Sequence, residues 1–444
     1  MARDYFNGTM KILIIEAYSA ANIGSGALVQ NSIDILRKEF PDSKIEILAH
    51  MPDSIHRLTG LPTYHELISL PLNQPNYKQV FWLLRTVLWM ASHAATALLR
   101  DRGVYIPVGI YTYDSKTSTA LEKLRQADVV FSVGAERIND NFYKAILFSL
   151  FTLWTVHKYG KLLVLFPQTI GPFHFRITRW LSKVVLNLCD VVFLRDRRSY
   201  REMQKLGVER PIIAETCDVA ILQPTVSSME AKRLLSEAVV LPEGRSLVSI
   251  SAMRWTYIKA QGNSNYEEYK KTLANVADAL IAEQNVYVLF IATNILAEGC
   301  REDDVATAEE IMSLMTYADS CTILDRVYAP SELKGLMGLC DLCIVTRMHA
   351  CIFSTGSFTP TVSINYQFKL SEYMQRVGLG EYSIDIDKVT YSRLKEIVDR
   401  GWEQRDEMRK KLQYTIPMMK DELLREMDKL RVFLGQGKWP TLEI

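Results

Sequence analysis

The sequence lacks the charge imbalance that is typical of nucleic-acid-binding proteins. It has 52 Lys and Arg residues against 51 Asp and Glu residues, and its formal net charge is only +1. A balanced charge gives no overall field that would attract a polyanion, so a basic patch for an anionic ligand must be local. We therefore predict a small-molecule ligand and no nucleic-acid partner.

Cysteine is scarce and unevenly placed. The chain has seven cysteines among 444 residues, an odd number without regular spacing, and several lie inside apolar runs. This pattern favours buried, reduced thiols over a disulfide framework and predicts a cytoplasmic protein. Cys340 and Cys343 form a C-x-x-C pair, but no second pair follows, which argues against a zinc or redox site.

The sequence also has no long apolar run without charges. Residues 1–10 are polar and do not resemble a signal peptide, so we expect a short disordered leader there. The most apolar stretch, Val80 to Leu99, is interrupted by Arg85 and His93. It predicts either a buried helix or an interfacial helix. With the basic residues that follow it, the stretch favours peripheral membrane contact through residues 80–102, at the inner face of the membrane.

Strand-like apolar runs alternate with helical segments along most of the chain, which predicts parallel sheets and the α/β class. A break marked by Pro224, Pro242 and Gly244 separates two such series. We predict a Rossmann-like domain over 11–224, a linker over 225–245, a second Rossmann-like domain over 246–390, and helices over 391–444 that pack across both. The carboxyl ends of the strands should line a shared cleft that binds the ligand.

Arg347 and His349 are the first candidates for this cleft. They follow the apolar strand Leu342 to Val345 and precede a helix. A guanidinium and the backbone N–H groups of a helix start form a site for phosphate or carboxylate, and a nearby dianion favours a protonated imidazole. The alternative is a histidine that only satisfies its own loop.

The first half carries a similar group. Arg195 follows the strand Val191 to Leu194, with Asp196 placed to orient it or to cap the next helix. This pattern predicts an anion clamp, and the alternative is a solvated helix start. Arg254, which follows the strand Leu247 to Ser251, is placed to face the cleft from the second domain.

Loops near the predicted cleft supply candidates for binding a second substrate. Gln168 lies in a turn with Gly171 and Pro172, and Asp140 follows the strand Asp128 to Val133. Asp140 is suited to accept a hydroxyl proton or to cap a turn. Asn22, Gly24 and Ser25 form the first loop, which has neither a G-x-G-x-x-G nor a P-loop pattern, so dinucleotide and P-loop chemistry lose support.

Taken in order, these motifs resemble the polysaccharide pyruvyl transferase family. The resemblance covers nearly all of the chain between Lys11 and Gly378. It rests on these residues: Asn22-Ile23-Gly24, Gly134 with Asp140, Gln168 with Gly171-Pro172, Arg195-Asp196 with Ser199, Asp218, Ser251 with Arg254, Arg347 with His349, and Tyr366 with Lys369.

The resemblance implies a glycosyltransferase-B-like arrangement of two domains. It also implies that phosphoenolpyruvate gives its three-carbon unit to two hydroxyls of a sugar, which leaves a pyruvate ketal and phosphate. Phosphoenolpyruvate is then a co-substrate, with no metal or other cofactor. The acceptor is a sugar or a lipid-linked oligosaccharide of a cell-surface or exopolysaccharide precursor.

Residue roles follow from the same resemblance. Arg195, Arg347 and His349 are the catalytic candidates. The donor-binding set adds Arg254, Tyr366 and Lys369, and the acceptor-binding set is Asn22, Gly24, Ser25, Asp140 and Gln168.

Two positions depart from the family pattern. Ser25 stands where the family has an acidic residue, and Ala135 replaces the second of two consecutive glycines. They indicate either an altered acceptor or altered donor chemistry. The alternative functions are a nucleotide-sugar-dependent glycosyltransferase and a noncatalytic glycan-assembly subunit.

Overall fold

A computed structural model describes residues 9–69, 76–102, 114–134, 136–254, 263–295 and 303–436. Most of the predicted leader, the altered position Ala135, and the chain after Gln436 lie outside the described residues. The structured part divides into two compact units. One comprises Met1–Ser19, Leu28–Asp218 and Leu424–Ile444, and the other comprises Ala20–Ala27 and Val219–Leu423.

The first unit is built on a seven-stranded sheet in the order β3-β2-β1-β4-β5-β6-β7, in which every neighbouring pair is parallel. The strands are β1 (Lys11–Ala17), β2 (Lys44–Ala49), β3 (Thr63–His65), β4 (Val129–Ser132), β5 (Leu162–Gln168), β6 (Val191–Leu194) and β7 (Ile212–Glu215). The helices between them are α1 (Ile23–Glu39), α2 (Pro52–Thr59), α3 (Asn76–Asp101), α4 (Ser115–Gln126), α5 (Tyr143–Lys158), α6 (Arg176–Leu186) and α7 (Arg197–Leu206).

The second unit has a six-stranded parallel sheet in the order β10-β9-β8-β11-β12-β13. Its strands are β8 (Ser246–Ser251), β9 (Val286–Ile291), β10 (Cys321–Leu324), β11 (Leu342–Val345), β12 (Thr361–Asn365) and β13 (Ser383–Asp385). Its helices are α8 (Ser228–Ala238), α9 (Asn263–Gln284), α10 (Asp304–Met312), α11 (Pro330–Met337), α12 (Met348–Gly356), α13 (Phe368–Arg376) and α14 (Tyr391–Glu403). The last helix, α15 (Arg405–Gln436), begins here, and its residues from Leu424 onward group with the first unit.

Each sheet is covered by helices, and this explains the strand sequences. A parallel strand that is buried on both faces is apolar along its whole length. All residues of β4, β6 and β11 are buried. The predicted fold class is therefore confirmed: the chain is α/β, with two doubly wound parallel sheets and a C-terminal helical segment. The predicted linker, 225–245, contains α8, whose Leu234 and Leu235 are buried.

The burial of the cysteines and the apolar character of the helices both agree with the sequence analysis. The six cysteines within the described ranges are buried and form no disulfide bond: Cys189, Cys217, Cys321, Cys340, Cys343 and Cys351. Among the described helices, none combines the length and apolar character that a membrane span requires.

Candidate functional site

In the second unit, Arg347 stands at the point where β11 passes into α12. It is the residue immediately before the helix, with extended backbone angles. The preceding residue, Thr346, is buried, and its hydroxyl is hydrogen-bonded to the Tyr269 hydroxyl at 2.8 Å. Burial raises the pKa of the Tyr269 phenol, so it stays neutral. This bond ties the start of α12 to α9 and fixes where Arg347 leaves the sheet.

A buried carboxylate holds the Arg347 side chain. Nη2 of Arg347 donates to Oδ1 of Asp304 at 2.6 Å, and the Asp304 side chain is only 1% exposed. The other oxygen of Asp304 accepts hydrogen bonds from the backbone N–H and the hydroxyl of Thr293, both at 3.0 Å. With the Asn294 amide oriented so that its oxygen faces the guanidinium, both Nη atoms also donate to that oxygen at 3.2 Å. The guanidinium is thus fixed before any ligand arrives.

The first turn of α1 lies against His349, two residues after Arg347. A Cβ added to Gly24 would lie 2.0 Å from Nδ1 of His349, so only glycine fits this close approach. The turn is anchored by Asn22, whose Oδ1 accepts from the Ser25 N–H at 2.9 Å. Asn22 also forms an antiparallel bridge with Asn294. The structure therefore brings Asn22, Gly24 and Ser25 next to Arg347 and His349.

The remaining donor candidates of this unit also follow its central strands. Arg254, Arg347 and Tyr366 come after β8, β11 and β12, which are neighbours in the sheet. Because parallel strands end at the same edge, these residues share that edge. Nζ of Lys369 lies 5.4 Å from the ring centroid of Tyr366, and Lys369 is 7% exposed. Arg254 is exposed and is the last described residue before position 263.

In the first unit, Arg195 is buried in a network of carboxylates. Its Nη1 donates to Asp218 at 2.5 Å and its Nε donates to the Thr169 hydroxyl at 2.9 Å. Glu136 lies 3.6 Å from Nη2. Burial acts against the charge, but the carboxylates outweigh it and raise the pKa of Arg195. Asp196 accepts from the Ser199 N–H and so caps α7, which is one of the two predicted roles for this residue.

The two acceptor candidates of this unit differ in their hydrogen bonding. Oδ2 of Asp140 accepts from the backbone N–H groups of His174 and Phe175, at 2.5 and 2.9 Å, so Asp140 braces the turn before α6. Its Oδ1 has no hydrogen-bond partner among the described residues. The Gln168 amide is fully buried, and within the described part of the chain neither its oxygen nor its nitrogen has a partner.

Comparison with known proteins identifies the family. The family model described as "Polysaccharide pyruvyl transferase" matches residues 22–367, a span that includes every candidate site residue described above except Lys369. The chain belongs to the polysaccharide pyruvyl transferase family. This membership supports a transferase that acts in polysaccharide biosynthesis.

This pyruvyl transferase family member is similar to a curated protein and to solved structures of the same fold. The amylovoran biosynthesis protein AmsJ of Erwinia amylovora is 24% identical over 386 residues, which cover 86% of this chain and 89% of AmsJ. A putative UDP-N-acetylglucosamine 2-epimerase from Listeria monocytogenes matches with a TM-score of 0.59 at 12% identity, over 98% of this chain and 100% of the epimerase. Anabaena HepE, solved with UDP-glucose, matches with a TM-score of 0.55 at 13% identity, over 95% and 98% of the two chains. At these identities the two structures show the fold alone.

Sequence reasoning missed a further group of polar residues in the first unit of this pyruvyl transferase family member. Glu16, the next-to-last residue of β1, is 5% exposed. Arg137, in the loop after β4, donates to Glu66 at 2.9 Å, and Glu66 is also bonded to His50 at 2.7 Å. Burial acts against the charged form, yet Arg137 and His50 hold the pKa of Glu66 below its ordinary value. One signal was available, because charged residues directly after apolar strands mark the carboxyl edge of the sheet.

Proposed function

We propose that this chain transfers the pyruvyl unit of phosphoenolpyruvate onto two hydroxyls of a sugar in a cell-surface or exopolysaccharide precursor. The observation that carries this proposal is the fixed guanidinium of Arg347, next to His349 at the start of α12. Family membership and the relative named for amylovoran biosynthesis support the same substrate class.

The donor is a small trianion, and the second unit offers matching cations. Arg347 presents a forked donor, and the first N–H groups of α12 add an electropositive helix end. Lys369, with Tyr366, follows β12 and Arg254 follows β8, the two strands that flank β11 in the sheet. We assign the phosphate and carboxylate of phosphoenolpyruvate to this group. In the first unit, Arg195 is the second donor candidate, and Asp218 orients it.

His349 is the proposed acid. It gives a proton to the methylene carbon of the enol, and C2 becomes electrophilic. One sugar hydroxyl adds to C2 and the C–O bond to phosphate breaks. A second hydroxyl then closes the ketal. Of the two hydroxyl protons, one replaces the proton that His349 gave to the new methyl group, and the other leaves with phosphate. Asp140 and Gln168 are proposed to position the acceptor, and the reaction uses no metal.

The test compares donors on the purified full chain. We expect phosphoenolpyruvate to raise the unfolding temperature of the wild type, and this effect to disappear in Arg347→Ala. Phosphate release should then depend on an added sugar acceptor and should be lost in His349→Ala. Stabilisation by nucleotide sugars alone would replace the proposal with glycosyl transfer. A response to neither donor, together with unchanged biological function of Arg347→Ala and His349→Ala, would indicate a noncatalytic glycan-assembly subunit.

We also propose that the first unit contacts the inner face of the membrane, where a lipid-linked acceptor would lie. Two of its helices, α3 and α6, expose large apolar side chains: Phe81 (70%), Leu88 (71%), Ile177 (65%) and Trp180 (62%). Both helices pack on α5, through the Trp82–Phe148 and Trp89–Phe151 ring contacts and through the α5–α6 contact. The exposed cations Arg85, Arg176, Arg179 and Lys183 accompany these apolar groups. Apolar groups interspersed with cations suit an anionic lipid surface.

Flotation with vesicles containing phosphatidylglycerol tests this surface. We expect wild type to float, and the Leu88→Glu, Trp180→Glu double variant to stay in solution. Met229→Glu is the matched control, because Met229 is 81% exposed on α8 of the other unit. Equal flotation of the double variant and the wild type would overturn the proposal.

A further inference from the structure

Glu16 has a backbone conformation that its residue type disfavours. Its φ is +63°, in the left-handed region, where a side chain other than that of glycine or asparagine is strained. The residue interrupts the regular register between β1 and β2, which shifts between Ile14 and Ala17. Strain of this kind persists only where the surrounding structure enforces it, and it concentrates at functional sites. Glycine would fit this position without strain, so the carboxylate has to be explained.

The Glu16 carboxylate is only half satisfied. Oε2 accepts from the Ser132 hydroxyl at 2.5 Å. Oε1 has no hydrogen-bond partner among the residues that the structure describes, although Glu16 is 5% exposed. A buried carboxylate oxygen without a partner is costly and calls for an explanation, such as a catalytic or binding role. Gly134 leaves room for the bonded oxygen, because a Cβ there would lie 2.8 Å from Oε2.

A small pocket of about 20 Å³, with room for one hydroxyl group, opens beside this carboxylate. Its polar lining is Glu16, Glu66, Arg137, Ser149 and Thr152, and its apolar lining includes Leu48, Leu67 and Phe148. The positive charge of Arg137 is balanced by Glu66, its hydrogen-bonded partner. Because Glu16 adds a further carboxylate, the pocket lining has no excess of positive charge. Such a lining disfavours phosphate and carboxylate groups. It suits a neutral group that donates hydroxyl protons to carboxylates and accepts from a guanidinium.

The pocket also lies where an open α/β sheet binds its ligands. In the first sheet the strand order reverses between β1 and β4, which are adjacent although helices and two strands separate them in the chain. The loops that leave two such strands run to opposite faces, and the crevice between them is the usual ligand site. Glu16 is at the end of β1, and Ser132 is the last residue of β4.

We infer that this pocket is the subsite for one hydroxyl group of a sugar unit of the acceptor, and that Oε1 of Glu16 accepts a hydrogen bond from that hydroxyl. The inference deepens the proposed function and rests on it for the identity of the substrate. Glu66 and Arg137, fixed by each other and by His50, provide the second acceptor and the donor.

The experiment measures sugar binding to the full chain without phosphoenolpyruvate. The probes are methyl glucoside, methyl galactoside and methyl mannoside, followed by saturation-transfer NMR, with inorganic phosphate as the anionic comparison. We expect Glu16→Gly to raise the unfolding midpoint by about 2 °C, because it relieves the strain, and to weaken sugar binding at least about tenfold. Glu16→Gln keeps the strain and should weaken binding without the gain in stability. Asn285→Gly is the control, because Asn285 is exposed at a φ of +51°, and its sugar binding should not change.

The outcomes separate this inference from the proposed function. Loss of stability in Glu16→Gly, with sugar binding intact, would make Glu16 a structural residue and overturn the inference, whatever the donor. The inference also fails if wild type responds to phosphoenolpyruvate but binds none of the glycosides, or binds them equally well after Glu16→Gln. Glu16-dependent sugar binding without any response to phosphoenolpyruvate would support the subsite and reject pyruvyl transfer.

Discussion

Nη2 of Arg347 and Oδ1 of Asp304 are 2.6 Å apart, and this ion pair fixes the guanidinium that we assign to the donor. The two residues are far apart in the chain and meet because α10 and α12 begin at the same edge of the second sheet. Asp304 has its remaining oxygen occupied by Thr293 and Asn294, so it holds the arginine without being free to turn.

Asp304→Asn should therefore weaken phosphoenolpyruvate binding about tenfold, because the guanidinium loses its charged partner and part of its fixed orientation. Isothermal titration calorimetry gives the dissociation constant. Asp303→Asn is the control, since Asp303 only caps α10. Equal affinities of wild type and Asp304→Asn would show that this ion pair does not prepare the site.

Gly24→Ala should lower turnover about a hundredfold while leaving the fold intact. The added methyl group would occupy the space of the His349 imidazole, 2.0 Å from Nδ1, and the ring would have to move. A displacement of about 1 Å at a reacting group costs roughly a hundredfold in rate. Phosphate release under saturating phosphoenolpyruvate measures the effect. Gly435→Ala, with nothing within 4 Å of the new methyl group, should retain full activity.

Asp218→Ala should destabilise the first unit by about 3–5 kcal/mol, because it leaves the buried Arg195 without its main counter-charge. Urea denaturation followed by tryptophan fluorescence provides the free energy of unfolding. The neighbouring pair Arg197–Glu215 is exposed and 4.0 Å long, so Glu215→Ala should change the free energy by less than about 0.5 kcal/mol. Similar losses in both variants would contradict the network described for Arg195.

Lys334 should make the stability of the second unit depend on pH. Burial, with Lys420 nearby, lowers its pKa to about 7, and its Nζ donates to the Gln223 carbonyl at 2.6 Å. A lysine whose pKa is lower in the folded than in the unfolded protein opposes folding below pH 7, where it is charged in both states. This penalty fades as the pH rises from about 7 toward about 10.4, the pKa of the lysine in the unfolded protein. The unfolding free energy should thus rise with pH in this window.

Lys334→Met removes the titrating group, so its unfolding free energy should depend less on pH than that of wild type. The difference between the two proteins should be largest at pH 6.5 and should shrink by pH 9.5, as measured by urea denaturation at each pH. Parallel pH profiles for the two proteins would show that Lys334 does not titrate in this range.

The sequence predicted the central strands because burial on both faces makes them continuous apolar runs, as in β4, β6 and β11. It did not reveal β2, where Lys44 and Glu46 break the apolar run, or the short strands β3, β7 and β13. Strand order was also beyond it, since pairing between distant segments leaves no mark in one sequence.

Much of the candidate site was predictable because the apolar strands show where the sheet edge lies. Arg195 directly follows β6, and Arg347 follows β11 after one residue; this position identifies the carboxyl edge. Their partners Asp218 and Asp304 were not assigned to them, because those contacts depend on the tertiary fold. Glu16 was overlooked although it directly follows the apolar residues 12–15, because a positive φ is not expected for glutamate and one sequence does not show that Glu66 and Arg137 lie nearby.

The second unit is not a continuous stretch of chain. Its sheet begins only after Val219, yet Ala20–Ala27 group with it and supply Gly24, the backbone against which His349 packs. A fragment that starts at Val219 consequently contains the histidine but not the wall beside it. A cut between the two halves of the gene would yield a piece that lacks eight residues of its own unit, and a synthetic peptide carrying those residues is the natural reagent to restore the wall beside His349.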